Sequence, residues 1–549
     1  MKSITTGTED FKEFINNNYY FSDKSQFIEI ALKDKVSLFT RPRRFGKTLN
    51  MSMLYYFLSN KEKDNSSLFN GLKITQNKEM MKLQNQFPVI FVTLKNMKGL
   101  CFEECLDAYK LIFNNLLSQF SELFETKTFM DSTLLILERC SHNLATLGEY
   151  KESLCILSRC LEHFYDRKVV VLVDEYDVPL QAAYQNGYYD EMSNFLSGLF
   201  GSVFKTNGSL YKGVMTGCLR IAKESIFSGL NNFSVYSIFD ELSEDCFGFT
   251  QEEVNDILDY YRLSEHQTKI KEWYDGYLFG TKEIYNPWST LYYVKELLVN
   301  NQKEPSSYWA NTSGNDIVYN YIQNSDYSMK EEFEELANGK AITKIVKPEL
   351  TYREMDDINN IYSFLLFTGY LKVKKSLGNN TYELIIPNKE VNTIYINSFL
   401  DYFTEFTRVR KNKLYDALVS EDVMTSNDLL NDILENSISY YDNYESFYHG
   451  FLIGLFNDYK TQSNKEAGKG RFDVVIFPRR ITQTAIVIEC KHSESDAHLV
   501  EDASLAAKQI VEKGYMNHPD VKKHFNAVGY GISFNKKQCF IVKSELPKK

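Results

Sequence analysis

SLFTRPRRFGKTLNMSML, residues 37–54, decides the fold of the first half of the chain. The run KVSLFT at 35–40 alternates well enough to predict a short buried strand. After the loop, Leu49, Met53, Tyr56 and Phe57 recur at helical spacing. Gly46-Lys47-Thr48 therefore falls where a strand turns into a helix N-terminus. Free backbone N–H groups and the helix dipole favour a phosphate at such a place. A phosphate loop is usually written G-x-x-x-x-G-K-[ST], which asks for glycine at position 41. Arg41 stands there. The tripeptide is either a chance match or the end of a variant loop. In the second case Arg44, Phe45, Gly46, Lys47, Thr48 and Leu49 line a nucleotide site. Lys47 then reaches the β- and γ-phosphates, and Thr48 ligates Mg²⁺.

A second stretch argues for the variant loop. In KVVVLVDEYDVPL, residues 168–180, five apolar residues from Val169 to Val173 predict a strand buried on both faces. It ends in Asp174-Glu175, at the edge where open α/β sheets bind ligands. In phosphate-loop NTPases the carboxylate at this strand end holds Mg²⁺. Asp174 is placed for that role, and Glu175 is placed to polarise the attacking water. A third strand is predicted at 210–216, LYKGVMT. Its end puts Thr216 near a γ-phosphate and Arg220 near nucleotide or a neighbouring domain. A strand cap and a structural ion pair are the plainer roles for these two residues.

The bulk properties narrow the class. The chain has 549 residues, too many for one core, so several domains are expected. Its net charge of −11 excludes general electrostatic binding of nucleic acid, so such contact needs a local basic groove. Arg41/Arg43/Arg44, Arg408/Arg410/Lys411/Lys413 and Arg479/Arg480 are the candidate clusters. Nine cysteines without a C-x-x-C fit free thiols in a reducing cytoplasm. The N-terminal MKSITTGTEDFKEF predicts no secretory signal, and no apolar run reaches the length of a membrane span.

The C-terminal part carries a different chemistry. In GRFDVVIFPRRITQTAIVIECK, residues 470–491, two apolar runs at 472–477 and 485–490 predict a hairpin-like pair of strands. Glu489 and Lys491 are two apart and project from one face. Asp473 lies on the neighbouring strand, within reach of both. Two carboxylates supply hard oxygen ligands for Mg²⁺, which polarises a phosphodiester and acidifies a bound water. The lysine orients that water or stabilises the developing charge. The D…E-x-K string alone is weak, but charged residues ending two apolar strands call for a reason. A helix predicted at 440–458 carries Glu445 and His449 on one face. Glu445 is a candidate further metal ligand, and His449 reads as a packed helix residue. A helix at about 499–514, containing Gln509, and strands at 525–534 and 538–543 complete an α-β-β-α-β order.

With both sites located, the chain resembles a bacterial and archaeal family that joins an AAA-like ATPase domain to a PD-(D/E)XK nuclease-like domain. The resemblance is carried by YYFSDKS (19–25), TRPRRFGKTLNMSML (40–54), QFPVIFVTLK (86–95) and VLVDEYDVPL (171–180). It continues through TGCLRIAKESIFSGLNN (216–232), EWYDGYLFG (272–280), YNPWST (285–290), YWANTSGN (308–315) and IPNKEV (386–391). It ends with FYHGFLIGL (447–455), GKGRFDVVI (468–476), IVIECK (486–491) and AAKQI (506–510). That family's loop has the form R-P-R-R-F-G-K-T, so Arg41 departs from the general pattern and not from the family's. The resemblance implies that Asp473, Glu489 and Lys491 are the nuclease motif residues and that Gln509 is their helix-borne partner. The tyrosine expected four residues after Gln509 is absent: Lys513 stands there, with Tyr515 nearby.

The expected architecture is α/β. An N-terminal P-loop NTPase domain, 1–235, has a parallel sheet flanked by helices. A mostly helical lid with a winged-helix-like element spans 236–395. An α/β restriction-endonuclease-like core occupies 415–549. Trp273, Tyr274, Trp288 and Trp309 read as packing of the lid, with substrate contact the alternative. The expected function is an ATP-binding protein, an ATPase, coupled to a Mg²⁺-dependent nuclease acting on nucleic acid, DNA by preference. The competing function is an ATP-dependent signalling or defence switch whose C-terminal domain binds nucleic acid or a partner without cutting. Assembly into a homo-oligomer is left open.

Overall fold

The computed structural model describes residues 1–545 apart from 126–130, 220–232, 310–326, 438–444, 457–458, 468–469, 479 and 481. It divides into two compact units, Met1–Tyr395 and Ile396–Lys549.

The first unit is built on a five-stranded sheet of β1 (Val36–Thr40), β2 (Val89–Thr93), β3 (Val169–Asp174), β4 (Leu210–Gly217) and β5 (Phe233–Tyr236). The order is β2-β3-β4-β1-β5, and every pairing is parallel. The apolar run of β3 is buried along its whole length, as a strand covered by helices on both faces requires. The helix Lys47–Leu58 starts where the sequence predicts, with Gly46 as its cap at φ 84°. Thr40, Asp174 and Gly217 end neighbouring strands on the same edge of the sheet.

The middle of this unit is mainly helical. Helices Gln251–Tyr261, Gln267–Tyr274 and Pro287–Val299 share one core of Val254, Ile257, Tyr261, Ile270, Tyr293 and Leu297. A hairpin of β6 (Tyr277–Phe279) and β7 (Lys282–Ile284) and a sheet of β8 (Ile342–Ile345), β10 (Thr381–Ile385) and β9 (Lys372–Gly378) accompany them. Gly248, at φ 79°, lets this region close on the loop. A Cβ there would stand 2.3 Å from Ile284 and 2.9 Å from the Phe45 ring.

The second unit carries a five-stranded mixed sheet. Its strands are β11 (Lys460–Ala467), β12 (Gly470–Phe477), β13 (Thr484–His492), β14 (Asn526–Asn535) and β15 (Gln538–Lys543), in that order. The expected hairpin is β12–β13, antiparallel, while β13–β14 is parallel. The edge strand β11 was not anticipated, because KTQSNKEA is polar and carries no alternating apolar pattern. One face of the sheet packs Val474, Ile476, Ile486 and Ile488 with Tyr448 and Leu452 of the helix Glu445–Leu455. The other packs Val475 and Val487 with Ile510 of the helix Leu499–Glu512. That helix lies close to β14 because Gly531 has no side chain. A Cβ on it would sit 2.1 Å from the Ala507 nitrogen.

Candidate functional site

The phosphate-loop candidate is built from three strand ends and one helix start. Asp174 ends β3 with no solvent exposure. Thr48, in the first turn of the helix Lys47–Leu58, donates its hydroxyl to Asp174 Oδ2 at 2.8 Å. Thr216, near the end of β4, donates to Asp174 Oδ1 at 2.5 Å. Residues 48, 174 and 216 are thus gathered on one carboxylate. Burial, and then the charge of Glu175, raise the pKa of Asp174, against the two hydroxyls and Lys47 that lower it.

Lys47 is 3% exposed. Its ammonium donates to the carbonyls of Arg41 (3.2 Å) and Pro42 (3.1 Å) and lies 3.6 Å from Glu175 Oε1 and from Cys218 Sγ. Burial disfavours its charge. The Cys218 sulfur and the carboxylates of Glu175, Asp177 and Asp174 outweigh that and raise its pKa, so it stays cationic. Glu175 follows Asp174 in the left-handed region at φ 56°, and Arg44 adopts φ 70° inside the loop. Backbone strain of this kind on non-glycine residues gathers at functional sites.

The arginines of the loop separate into three roles. Arg41 is fully buried and turns toward the neighbouring segment. Its guanidinium donates to the carbonyls of Thr40, Tyr236 and Ser243 and to the Ser243 hydroxyl, at 2.8–2.9 Å. The rings of Phe247 and Phe279 flank it at 5.2 and 5.0 Å. Burial lowers its pKa to about 10, which leaves it charged at neutral pH. The residue in place of the usual glycine thus ties the loop to the segment after β5. Arg43 donates to Gln181 Oε1 at 2.6 Å. Arg44 lies over the Trp288 ring, 3.9 Å from its centroid.

Arg44, Phe45, Gly46, Lys47, Thr48 and Leu49 all line one cavity of about 400 Å³. Phe45 itself is buried, its ring packed on Tyr277 and Phe279 with centroids 4.9 and 5.2 Å away. Of the aromatic residues read as lid packing, Tyr274 lies in the helical core, whereas Trp288 lines this cavity. Arg220 lies outside the described residues.

Two functional candidates escaped the sequence reading. Asp177, buried, accepts the backbone N–H groups of Cys218 and Leu219 on Oδ2 at 2.8 and 3.0 Å and so fixes the chain just past β4. Its position in DEYD, three residues after Asp174, was the available signal. Glu390, fully buried, accepts on Oε1 from Ser289 Oγ and from the N–H groups of Tyr308 and Trp309, at 2.8–2.9 Å. It holds the helix start that carries Trp288. Burial raises its pKa to about 7, against those three bonds. Nothing local in IPNKEV marks Glu390 as buried.

In the second unit, β12 and β13 pair as far as Val474↔Ile488, which sets Asp473 beside the end of β13. Asp473 Oδ2 accepts the backbone N–H of Cys490 at 2.8 Å, between Glu489 and Lys491. Glu489 alternates with the core residues Ile488 and Cys490, so it projects toward the helix Leu499–Glu512. There Gln509 Nε2 donates to Glu489 Oε1 and lies 3.3 Å from the Tyr515 hydroxyl. Tyr515 thus reaches the glutamine without standing four residues after it, because the chain turns at Gly514 (φ 71°). Burial and the charges of Glu489 and Asp473 raise the Tyr515 pKa, against its bond to Gln509. Lys491 sits at the same strand end, in register with Ser533. His449 Nε2 bonds the Asp473 carbonyl at 2.7 Å, a structural contact that supports the strand carrying the carboxylate. The side chain of Glu445 lies outside the described residues. Among the described residues no group of three or more His, Cys, Asp or Glu gathers as a metal cage.

Comparison with known proteins matches both halves. Residues 5–227 match the family model described as "Predicted AAA-ATPase". Residues 443–544 match that of the PD-(D/E)XK nuclease superfamily. A protein of Azotobacter chroococcum mcd 1, described as an uncharacterized protein in the vnfD 5' region, is 24% identical over 535 residues, 94% of this chain and 93% of the relative. Among the described residues no helix is long and apolar enough to cross a membrane. The chain therefore joins an AAA-ATPase-like domain to a domain of the PD-(D/E)XK nuclease superfamily.

Proposed function

We propose that the chain binds and hydrolyses ATP with Mg²⁺ at the first site and cleaves phosphodiester bonds of nucleic acid, DNA by preference, at the second. The observation that carries the reading is the convergence of the Thr48 and Thr216 hydroxyls on Asp174 beside the buried Lys47. The charge of Glu175 repels the buried carboxylates at 174 and 177. A divalent cation held by Thr48 and Asp174 would relieve that repulsion, and hard oxygen donors suit Mg²⁺. Bound there, it would neutralise phosphate charge. Lys47 would leave the Arg41 and Pro42 carbonyls for the β- and γ-phosphates. Glu175 would orient the attacking water and take its proton. Thr216 would sense the γ-phosphate.

In the second unit Asp473 and Glu489 would hold the divalent cation, Lys491 would steady the attacking water or the developing charge, and Gln509 would fix Glu489. Two carboxylates with water and substrate oxygens suffice for Mg²⁺. We read the parts as an ATPase core at 1–235, a lid at 236–395 and a nuclease-like domain at 415–549, in a protein of the cytoplasm.

The test incubates the purified chain with linear and circular, single- and double-stranded DNA. Mg²⁺ or Mn²⁺ is added with and without ATP, beside Lys491→Ala and Lys47→Ala. Metal-dependent cleavage lost in Lys491→Ala is the expected result. Cleavage that survives the substitution refutes the assignment of the nuclease site. Dependence on ATP that disappears in Lys47→Ala would establish coupling.

A further inference from the structure

The cavity at the loop is larger than a triphosphate tail requires. Its volume of about 400 Å³ falls within the roughly 300–1,000 Å³ usual for small-molecule sites. Beyond the loop, the lining includes residues 5–9 of the N-terminal segment and the side chains of Tyr20, Phe249, Trp288 and Leu291. Tyr20, Phe249 and Leu291 are partly buried members of one apolar cluster, so they present a continuous surface. Phe249 is held at the loop: the preceding Gly248 donates its N–H to the Phe45 carbonyl at 3.2 Å. Trp288, with Arg44 over its ring, adds a further aromatic side chain to this wall.

We propose that this wall is the base subsite of the nucleotide site, with Phe249 the stacking residue for adenine and the 5–9 segment closing over it. The proposal rests on the reading of the loop as a polyphosphate site. A flat base beside a phenyl ring gains by stacking what a bare polyphosphate cannot.

The test measures displacement of a fluorescent ATP analogue from the full chain by ATP and inorganic tripolyphosphate, in Mg²⁺, for the parent, Phe249→Ala and Phe249→Leu. The parent should bind ATP at least about tenfold more tightly than tripolyphosphate. Phe249→Ala should lower ATP affinity by about tenfold and leave tripolyphosphate unchanged. Phe249→Leu, which keeps the cluster filled, should show the same selective loss and carries the test if the alanine variant does not fold. Tripolyphosphate binding as well as ATP to the parent overturns the base subsite alone. Equal weakening of both ligands in the variants, or unchanged ATP affinity, overturns the role of Phe249. If neither ligand competes, the polyphosphate reading falls and the base subsite with it.

Discussion

Glu390→Gln separates the charge of a buried residue from its shape. Glutamine keeps the oxygen that accepts from Ser289, Tyr308 and Trp309, so the helix start bearing Trp288 should hold. The carboxyl titrates near 7 in the folded chain, against an ordinary value of 4.5. A raised folded pKa means that the folded state binds the proton more tightly than the unfolded chain does. The associated stability is fully present below about 4.5 and is lost as the pH rises through about 7. Linkage across that interval gives a loss of about 2.5 kcal/mol between pH 5 and pH 8. Glutamine has no such titration. The stability of the variant minus that of the parent should therefore grow by about 2.5 kcal/mol from pH 5 to pH 8. For a unit of this size that is about 3 °C in the melting temperature. Thermal melts of both proteins at pH 5, 6, 7 and 8, at matched ionic strength, read the difference directly. A gap that stays constant across the range, or narrows as the pH rises, would refute the argument that Glu390 is buried at the cost of its charge.

Other substitutions test the two sites. Arg41→Ala should cost about 3 kcal/mol or more, read by denaturant unfolding, because it leaves buried carbonyls without their donor; Arg41→Lys should not restore it, since an ammonium cannot span Thr40, Tyr236 and Ser243. Glu175→Gln should leave ATP affinity within a few-fold and slow hydrolysis by about 100-fold or more, measured by phosphate release; an unchanged rate would remove Glu175 from water activation. Gly531→Ala should push the helix Leu499–Glu512 off β14 and separate Gln509 from Glu489, so DNA cleavage should fall while ATP binding persists. Chelation of divalent metal should abolish both activities, and a reaction that continues would exclude Mg²⁺ from that site.

Much of this was legible in the chain because local pattern and local chemistry coincide. The apolar run Val169–Val173 suits a strand covered on both faces, and Gly46-Lys47-Thr48 after an apolar strand marks the helix start. Spacing alone put Glu489 and Lys491 on one face, and the ladder placed Asp473 beside them. Polar β11 was missed because an edge strand is stabilised by its neighbour's hydrogen bonds and not by its own side chains.

What the tertiary structure alone decided are the contacts between residues far apart in sequence. Arg41 read only as a departure from the general phosphate-loop pattern, with no role of its own, and its guanidinium meets Tyr236 and Ser243, about two hundred residues on. Trp288 read as lid packing until it lay under Arg44 and on the cavity. Tyr515 was out of step with Gln509 until the turn at Gly514 brought it back. Glu390 carried no sign of burial in its own neighbourhood. A sequence displays period, charge and turn chemistry over a few residues. The partner that meets a buried polar group is set by packing, which brings together strand ends, helix starts and loops that no local pattern relates.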